Sequence, residues 1–583
     1  MRGSIEQSYF ELLKTWLDAL IGYQLPKGMH PALDGAILCP ACSVVHGRCH
    51  DAVYPLLYMA DAAGDKKYQD AALRLFDWAE YMLCEDGSIY NDSQSEWSGV
   101  TVFAAISLYK SLSLHSGLLS AEYRARFEQR FARMSEWLLR NIRTDKRFNI
   151  NYIAANAAAM AMAGEYFGRG DMRAHARTCA RFVCEHISES GLIYGEGRLE
   201  RDATPKHLCA VDMGYNVEET LPSLYEYAHL AGDDTVMQAV KRSARAHLEF
   251  ILPDGALDNS FGTRNFKWTY WGSRTSDGCQ ALFNALGRED AAFSEAAYRN
   301  LLLYKRCTHG LLYGGPDYRA HGELACTHHA FCHAKALAQA LDEGVCEFER
   351  TFIPSDARQG IRFYQEIDTY VQDCGKLGMT LTGSDYTYMR DGHASGGCIT
   401  LLYSRKAARP IIACATTGYY LREAHNQQLS RRKGELAPMC PRLQIKRGET
   451  LYSQMYDQTA RIHAHMEEDA IITDVRGTLA DVDGAHMEGG EYTLIYRLMG
   501  DTLTLSAECR GAELIIPLIS EQPENDKLTD DRTLLTETAH LKAAPGSRIS
   551  RVRPVFNLAP GFRAVEAVIS ADSGDVGFEL TAL

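Results

Sequence analysis

A repeated turn constrains this chain more than any other feature. AGDKKYQDA at 63–71, GRGDMRAHA at 168–176 and AGDDTVMQA at 231–239 each place Gly and then Asp ahead of a new helical stretch. Gly ends one helix in the left-handed conformation, and Asp caps the start of the next. Apolar stripes near the 3.6-residue period flank these turns: Ala71, Leu73, Leu75, Phe76, Ala79 and Met82; Phe127, Phe131, Met134, Leu138 and Leu139; Val236, Val240, Ala244, Leu248 and Ile251. A second punctuation recurs between the pairs: EDGSIY at 85–90, ESGLIY at 189–194, PDGALD at 253–258 and THGLLY at 308–313. Each reads as a tight turn with a short extended stretch. Repeated hairpins with a repeated loop mark a closed or stacked helical array. About six hairpins fit into residues 1–345, which predicts an (α/α)6-type helical toroid with its long loops forming a funnel at one end.

After Pro354 the helical stripes stop. Short β-rich runs bounded by Gly, Asp or Pro replace them, among them GCITLLY at 397–403, PIIACA at 410–415, YTLIYR at 492–497 and TLTLS at 502–506. The expectation is an α+β multidomain chain: toroid to residue 345, linker at 346–360, antiparallel β-sandwich at 361–583.

With 61 basic and 75 acidic residues the formal charge is −14, which argues against nucleic acid as the main partner. It leaves room for an acidic ligand, because a cleft can be locally basic inside an acidic protein. No stretch reaches the ~18 apolar residues of a membrane span. Glu6, Glu11, Lys14 and Asp18 interrupt every candidate signal-peptide run, and 17 cysteines is an odd number for a disulfide framework. Together these predict reduced thiols in a cytoplasm. A homo-oligomer stays open.

Several segments carry candidate chemistry. Asn149, Asn151 and Asn156 crowd the start of a small-residue helix. Asn is a poor helix former, so these residues either cap and pack or line the funnel as ligand-binding amides. Tyr194 to Gly197, with Glu196, leads through a polar loop to Tyr215, Asn216, Glu218 and Glu219 at a loop-to-helix junction, where ligand groups often sit. The run at 265–274 holds Lys267, Trp268, Tyr270, Trp271 and Arg274. Aromatic faces stack on sugars and Arg pairs with carboxylates, with core packing as the alternative. Cys39, Cys42, His46 and Cys49 have the identity of zinc ligands, although structural zinc sites more often pair two separated clusters, so no cofactor is required and a structural zinc stays open. The rival reading places His46, Arg48 and His50 on a funnel loop against substrate. His425, flanked by Arg, Glu, Asn and Gln in the sheet domain, is either a solvated strand end or a group presented to the interdomain cleft. His328, His329 and His333 form a further cluster at helical spacing.

A helical toroid followed by a β-sandwich resembles the heparinase II/III-like and alginate-lyase superfamily of polysaccharide lyases. The resemblance implies an Asn in the toroid, matched by Asn151 or Asn156, a catalytic Tyr matched by Tyr215, and a sandwich His matched by His425. No His follows the Asn pair directly, which departs from the family pattern. Some two-domain gut-bacterial β-glucuronidases share the layout.

These residue types suit β-elimination on a uronic acid. Amide or cationic groups neutralise the carboxylate, and a Tyr or His moves the proton. The expected substrate is an acidic, uronate-containing oligosaccharide attacked from one end. A hydrolase needs two carboxylates ~5–5.5 or ~6.5–9.5 Å apart, and Glu196, Glu200, Asp212, Glu218, Glu219 and Asp277 offer candidates. A non-catalytic sugar-binding protein is the third reading.

Overall fold

The computed structural model describes residues 3–92, 97–146, 148–197, 199, 204–388, 390–417, 438–571 and 575–583. Among them, twelve helices form six inner–outer pairs. The inner helices are Val53–Ala63, Thr101–Leu114, Ile150–Tyr166, Leu221–Ala231, Gln280–Leu286 and Thr327–Asp342. Each packs against the next, and Thr327–Asp342 returns to Val53–Ala63, so the ring is closed. The outer partners are Lys66–Trp78, Ala121–Asn141, Gly170–Cys184, Asp234–His247, Ala291–Arg306 and, for the last inner helix, Ser4–Gly22. Outer helices are amphipathic, with one face on the ring and one in water. Inner helices are enclosed on all sides, and the alanines of Ile150–Tyr166, every one buried, allow the close approach this requires. Glu347 latches the seam: its carboxylate accepts from the Ile5 backbone N–H at 2.8 Å and from Ser4, satisfying the start of the first helix.

The recurrent Gly loops are small β-hairpins. Leu83 bridges Ile89, Ile187 bridges Ile193, Ile251 bridges Leu257, and Thr308–His309 pairs with Leu311–Leu312. Gly87 shows why glycine is needed: its φ is 95°, and a Cβ there would lie 2.6 Å from the Arg133 carbonyl of the next outer helix.

The α-helices end at Asp342 and the first sandwich strand, Gly360–Tyr364, opens a five-stranded antiparallel meander that closes with Arg409–Ala413. A second, larger antiparallel sheet runs from Arg442–Arg447 to Asp575–Ala582. Strand Cys398–Ser404 is buried along its whole length because it is covered on both faces. Ile399 and Leu402 join the core between the sheets, while Leu401 and Tyr403 join the toroid core. A bulge at Thr400, where Leu381 pairs with Ile399 but Thr380 with Leu401, shifts the strand between these faces. The meander thereby seats the sandwich on the toroid. Polar ties fix the seat: Asp258 with Thr380, Lys206 with Asp368, and Asp385 with the backbone N–H of Gly262.

Candidate active site

Each outer helix returns the chain, so the six inner helices run parallel and start at one end of the ring. Their positive dipole ends favour an anion there. The residues gathered at that end come from the helix starts and the loops before them.

Tyr215 ends the short helix Met213–Tyr215, whose backbone start is capped by Asp212. The chain then makes a π-turn at Asn216–Thr220 before the helix resumes, a distortion common where side chains are aimed at a site. The Tyr215 hydroxyl contacts the Thr275 hydroxyl, and the Arg264 guanidinium lies over its ring, 4.6 Å from the centroid. Burial holds the phenol well above its ordinary range, against the nearby Arg264 and with the help of Glu219. It is therefore a neutral proton donor at pH 7.

Asn151 opens an inner helix. Its Nδ2 donates to Glu219 at 2.7 Å, its backbone N–H to Glu196 at 3.1 Å, and its buried Oδ1 has no hydrogen-bond partner. Glu196 faces Arg264, whose Nε is 3.2 Å from its carboxylate. Burial pushes the Glu196 carboxyl up to about 7, against Arg264 and aided by Asp212. The sandwich contributes Tyr388, whose ring also lies beneath Arg264. His328, on the second residue of an inner helix, is buried with both ring nitrogens lacking a hydrogen-bond partner. Burial and then the charges of Arg48, His46 and Lys267 hold it well below the ordinary imidazole range, so it is neutral. At the rim, Trp97 is 42% exposed and donates to the Tyr152 hydroxyl at 2.8 Å. An indole partly exposed to water offers a flat face on which a sugar ring can stack.

Other expected site residues lie elsewhere. Asn156 donates to the Ile142 carbonyl and contacts His175, as Asn216 does with Ile193 and His247. Both fasten one hairpin to the next, so Asn156 is a structural residue and Asn151 alone faces the site. Trp268 and Trp271 are fully buried, each with its N–H on a carbonyl, and Tyr270 donates to Asp254 beneath Phe562. Arg274 is fully buried and donates to the Leu558 carbonyl of the sandwich. The aromatic–basic run is thus an interdomain core rather than a sugar-binding wall. Glu218 is spent on the Ser273 backbone and the Ser276 hydroxyl. Arg48 uses every nitrogen: Nε on Asp51, Nη1 on the Thr275 carbonyl, Nη2 on Asp277 at 2.7 Å and Glu219 at 3.4 Å. It is a buried tie, not a free sugar ligand, and Asp277 is its partner together with Lys335. His46 faces Cys42 and Asp92, and Cys49 lies apart from them against the Ile37 carbonyl. His425 and Glu200 lie outside the described residues. Sequence reasoning missed Arg264, Trp97 and Tyr388. Arg264 alone had a local signal, directly beside the aromatic run.

The ulvan lyase N-terminal domain model matches residues 13–354, and the ulvan lyase C-terminal domain model matches residues 361–582. The chain belongs to the ulvan lyase family. A broad-specificity ulvan lyase of Formosa agariphila is 34% identical over 585 residues, covering 95% of this chain and 90% of that protein. Heparinase III matches in structure with a TM-score of 0.55 at 11% identity, over 100% of this chain and 85% of that one. Chondroitin AC lyase of Streptomyces coelicolor A3, solved with chondroitin sulphate, matches with a TM-score of 0.54 at 12% identity, over 99% and 79%. These two likenesses are of fold. As a member of the ulvan lyase family, the chain is a polysaccharide lyase that cleaves by β-elimination.

The buried carboxyls make stability depend on pH in a definite direction. Glu196 and Asp385 are both pushed up to about 7, chiefly by burial. Each binds its proton more tightly folded than unfolded, so each stabilises the fold at low pH and loses that contribution as pH rises through about 7. Buried His247 and His393, pushed down to about 4, oppose this trend only below about 6.5, where unfolded histidine titrates. Denaturant midpoints are expected to fall between pH 6.5 and 8.5, by about 1–3 kcal/mol in total. A flat or rising profile over that window would show these carboxyls ionised in the folded protein.

Proposed function

We propose that this ulvan lyase family member acts on an acidic, uronate-containing polysaccharide of the kind its Formosa agariphila relative degrades, with Tyr215 carrying the proton at the reacting centre. The single observation behind this reading is a buried, neutral phenol beneath the Arg264 guanidinium, whose partner Glu196 accepts from the backbone N–H of Asn151 at an inner-helix start. The uronate carboxylate is taken by Arg264 and the Asn151 amide, assisted by the parallel helix starts. As the C5–H bond breaks, its electron pair forms the C4–C5 double bond while the C4–O bond breaks. The Tyr215 phenol protonates the departing oxygen, and an imidazole accepts the C5 proton. His328 is the neutral imidazole that the described residues offer beside Arg48, and His425 of the sandwich is the other candidate. Attack from a chain end belongs to the same reading, supported by the depth of Tyr215, which is only 4% exposed.

Incubation with glucuronate-containing polysaccharide tests both parts. Near-ultraviolet absorbance of the unsaturated product should rise while viscosity falls slowly. Free uronic acid without new absorbance would move the chemistry to hydrolysis and the search to Glu196 and Glu219. A viscosity collapse early in the absorbance rise would mean internal cleavage.

A further inference from the structure

Cys39, Cys42 and His46 lie on the loop after the first helix, and Cys326 is the residue before the inner helix Thr327–Asp342. Nearly three hundred residues separate them in sequence, yet their ligand atoms all lie within 4.8 Å of one another. The Cys39 and Cys326 sulfurs are 3.5 Å apart, and Cys42 Sγ is 3.2 Å from His46 Nε2. A disulfide needs about 2.05 Å. A tetrahedral ion with bonds of about 2.3 Å to sulfur and 2.0–2.1 Å to nitrogen sets its ligands roughly 3.4–3.8 Å apart. The second shell has the matching form. His46 Nδ1 is 3.3 Å from Asp92, whose carboxylate also accepts from Asn91. A carboxylate on Nδ1 fixes the tautomer that leaves Nε2 as a metal-binding lone pair. Cys39 and Cys326 are fully buried, and Cys42 is partly so.

We propose that Cys39, Cys42, His46 and Cys326 hold one structural zinc ion that clamps the loop carrying Arg48 to the start of the helix carrying His328. Three thiolates and one neutral imidazole complete a tetrahedron, leaving no open position for substrate. Binding releases three thiol protons to solvent. The clamp fixes the ring at its seam, between the first and last parts of the toroid. It also sets the depth of His328, whose ring lies edge-on to that of His46 with centroids 5.6 Å apart. Cys49, the ligand that local spacing favours, is excluded by its position.

Elemental analysis of the full chain, grown with zinc and purified without chelator, tests this. Wild type and Cys49→Ala are each expected to carry one zinc per chain, and Cys326→Ser less than a tenth of that. Zinc-free wild type, or zinc retained by Cys326→Ser and lost by Cys49→Ala, overturns the assignment. Because Cys326→Ser could fail to fold, wild type is also stripped of metal and reloaded with Co(II). Intense visible bands of tetrahedral cobalt with thiolate-to-metal charge transfer are expected, and the pale spectrum of octahedral cobalt overturns the site. Neither readout depends on lyase activity, so the zinc can fail without the lyase reading failing, and the reverse.

Discussion

Replacing Tyr215 by Phe is expected to lower turnover by ~10²–10⁴ while leaving the fold intact. The substitution keeps the ring beneath Arg264 and removes only the hydroxyl that meets Thr275. Loss of its buried hydrogen bonds, to Thr275 and from Arg264 Nη1 at 3.5 Å, costs about 1–3 kcal/mol, small for a chain of this size. The loss should sit in kcat rather than KM, because the phenol's proton matters only as the C4–O bond breaks. A Tyr215→Phe enzyme with wild-type turnover would remove Tyr215 from the mechanism and bring forward Tyr152, which adjoins Asn151 and Trp97.

The second large effect is on stability. Arg48→Ala strips a shared partner from Asp51, Glu219 and Asp277. Lys335 still faces Asp51 and Asp277, while Glu219, whose carboxyl burial already pushes up to about 8 against Arg48, keeps Asn151 and takes up a proton, so the loss falls on the broken ties of the network. Removing one partner from a buried charge network costs about 3–5 kcal/mol. The urea transition of the helical domain, followed by far-ultraviolet circular dichroism, should move to markedly lower concentration. Arg48→Lys keeps the charge but loses the fork that reaches four groups, and should fall between the two. An unmoved transition combined with weakened binding of acidic sugar would return Arg48 to the role of substrate ligand.

The same residue illustrates where sequence reading ends. Arg48 is visibly a cation on a loop, but Glu219 and Asp277, which consume it, stand far along the chain. The run around Trp268 fails for a related reason. Its glycines resemble an exposed loop, yet Leu558 and Pro560 of the sandwich close over it, and the Tyr270 backbone N–H donates to Pro560. Local signals fared well where the cause was local. The Gly–Asp turns mark helix ends because a left-handed residue and a cap are needed there whatever lies outside. Asn151 stood out because an amide at a helix start requires a reason. Asn156 carried the same local signal, and only the packing of the next hairpin distinguishes the two. Cys326 had no signal at all beside the Cys39–Cys42 pair.

Closing the ring through the first and last helical segments has a consequence for how the protein is made. Ser4–Gly22 leaves the ribosome long before Thr327–Asp342, roughly 300 residues later, on which its apolar face packs. At about 5–20 residues per second, that face waits on the order of 15–60 s for its partner. Intermediate hairpins can stack as they emerge, since each contacts its predecessor. The first helix cannot settle until the circle is complete, so a nascent chain spends most of its synthesis as an open arc with one greasy edge exposed. Holdase binding to that edge, and aggregation when translation stalls before residue 342, are the costs of building a bowl from a ring.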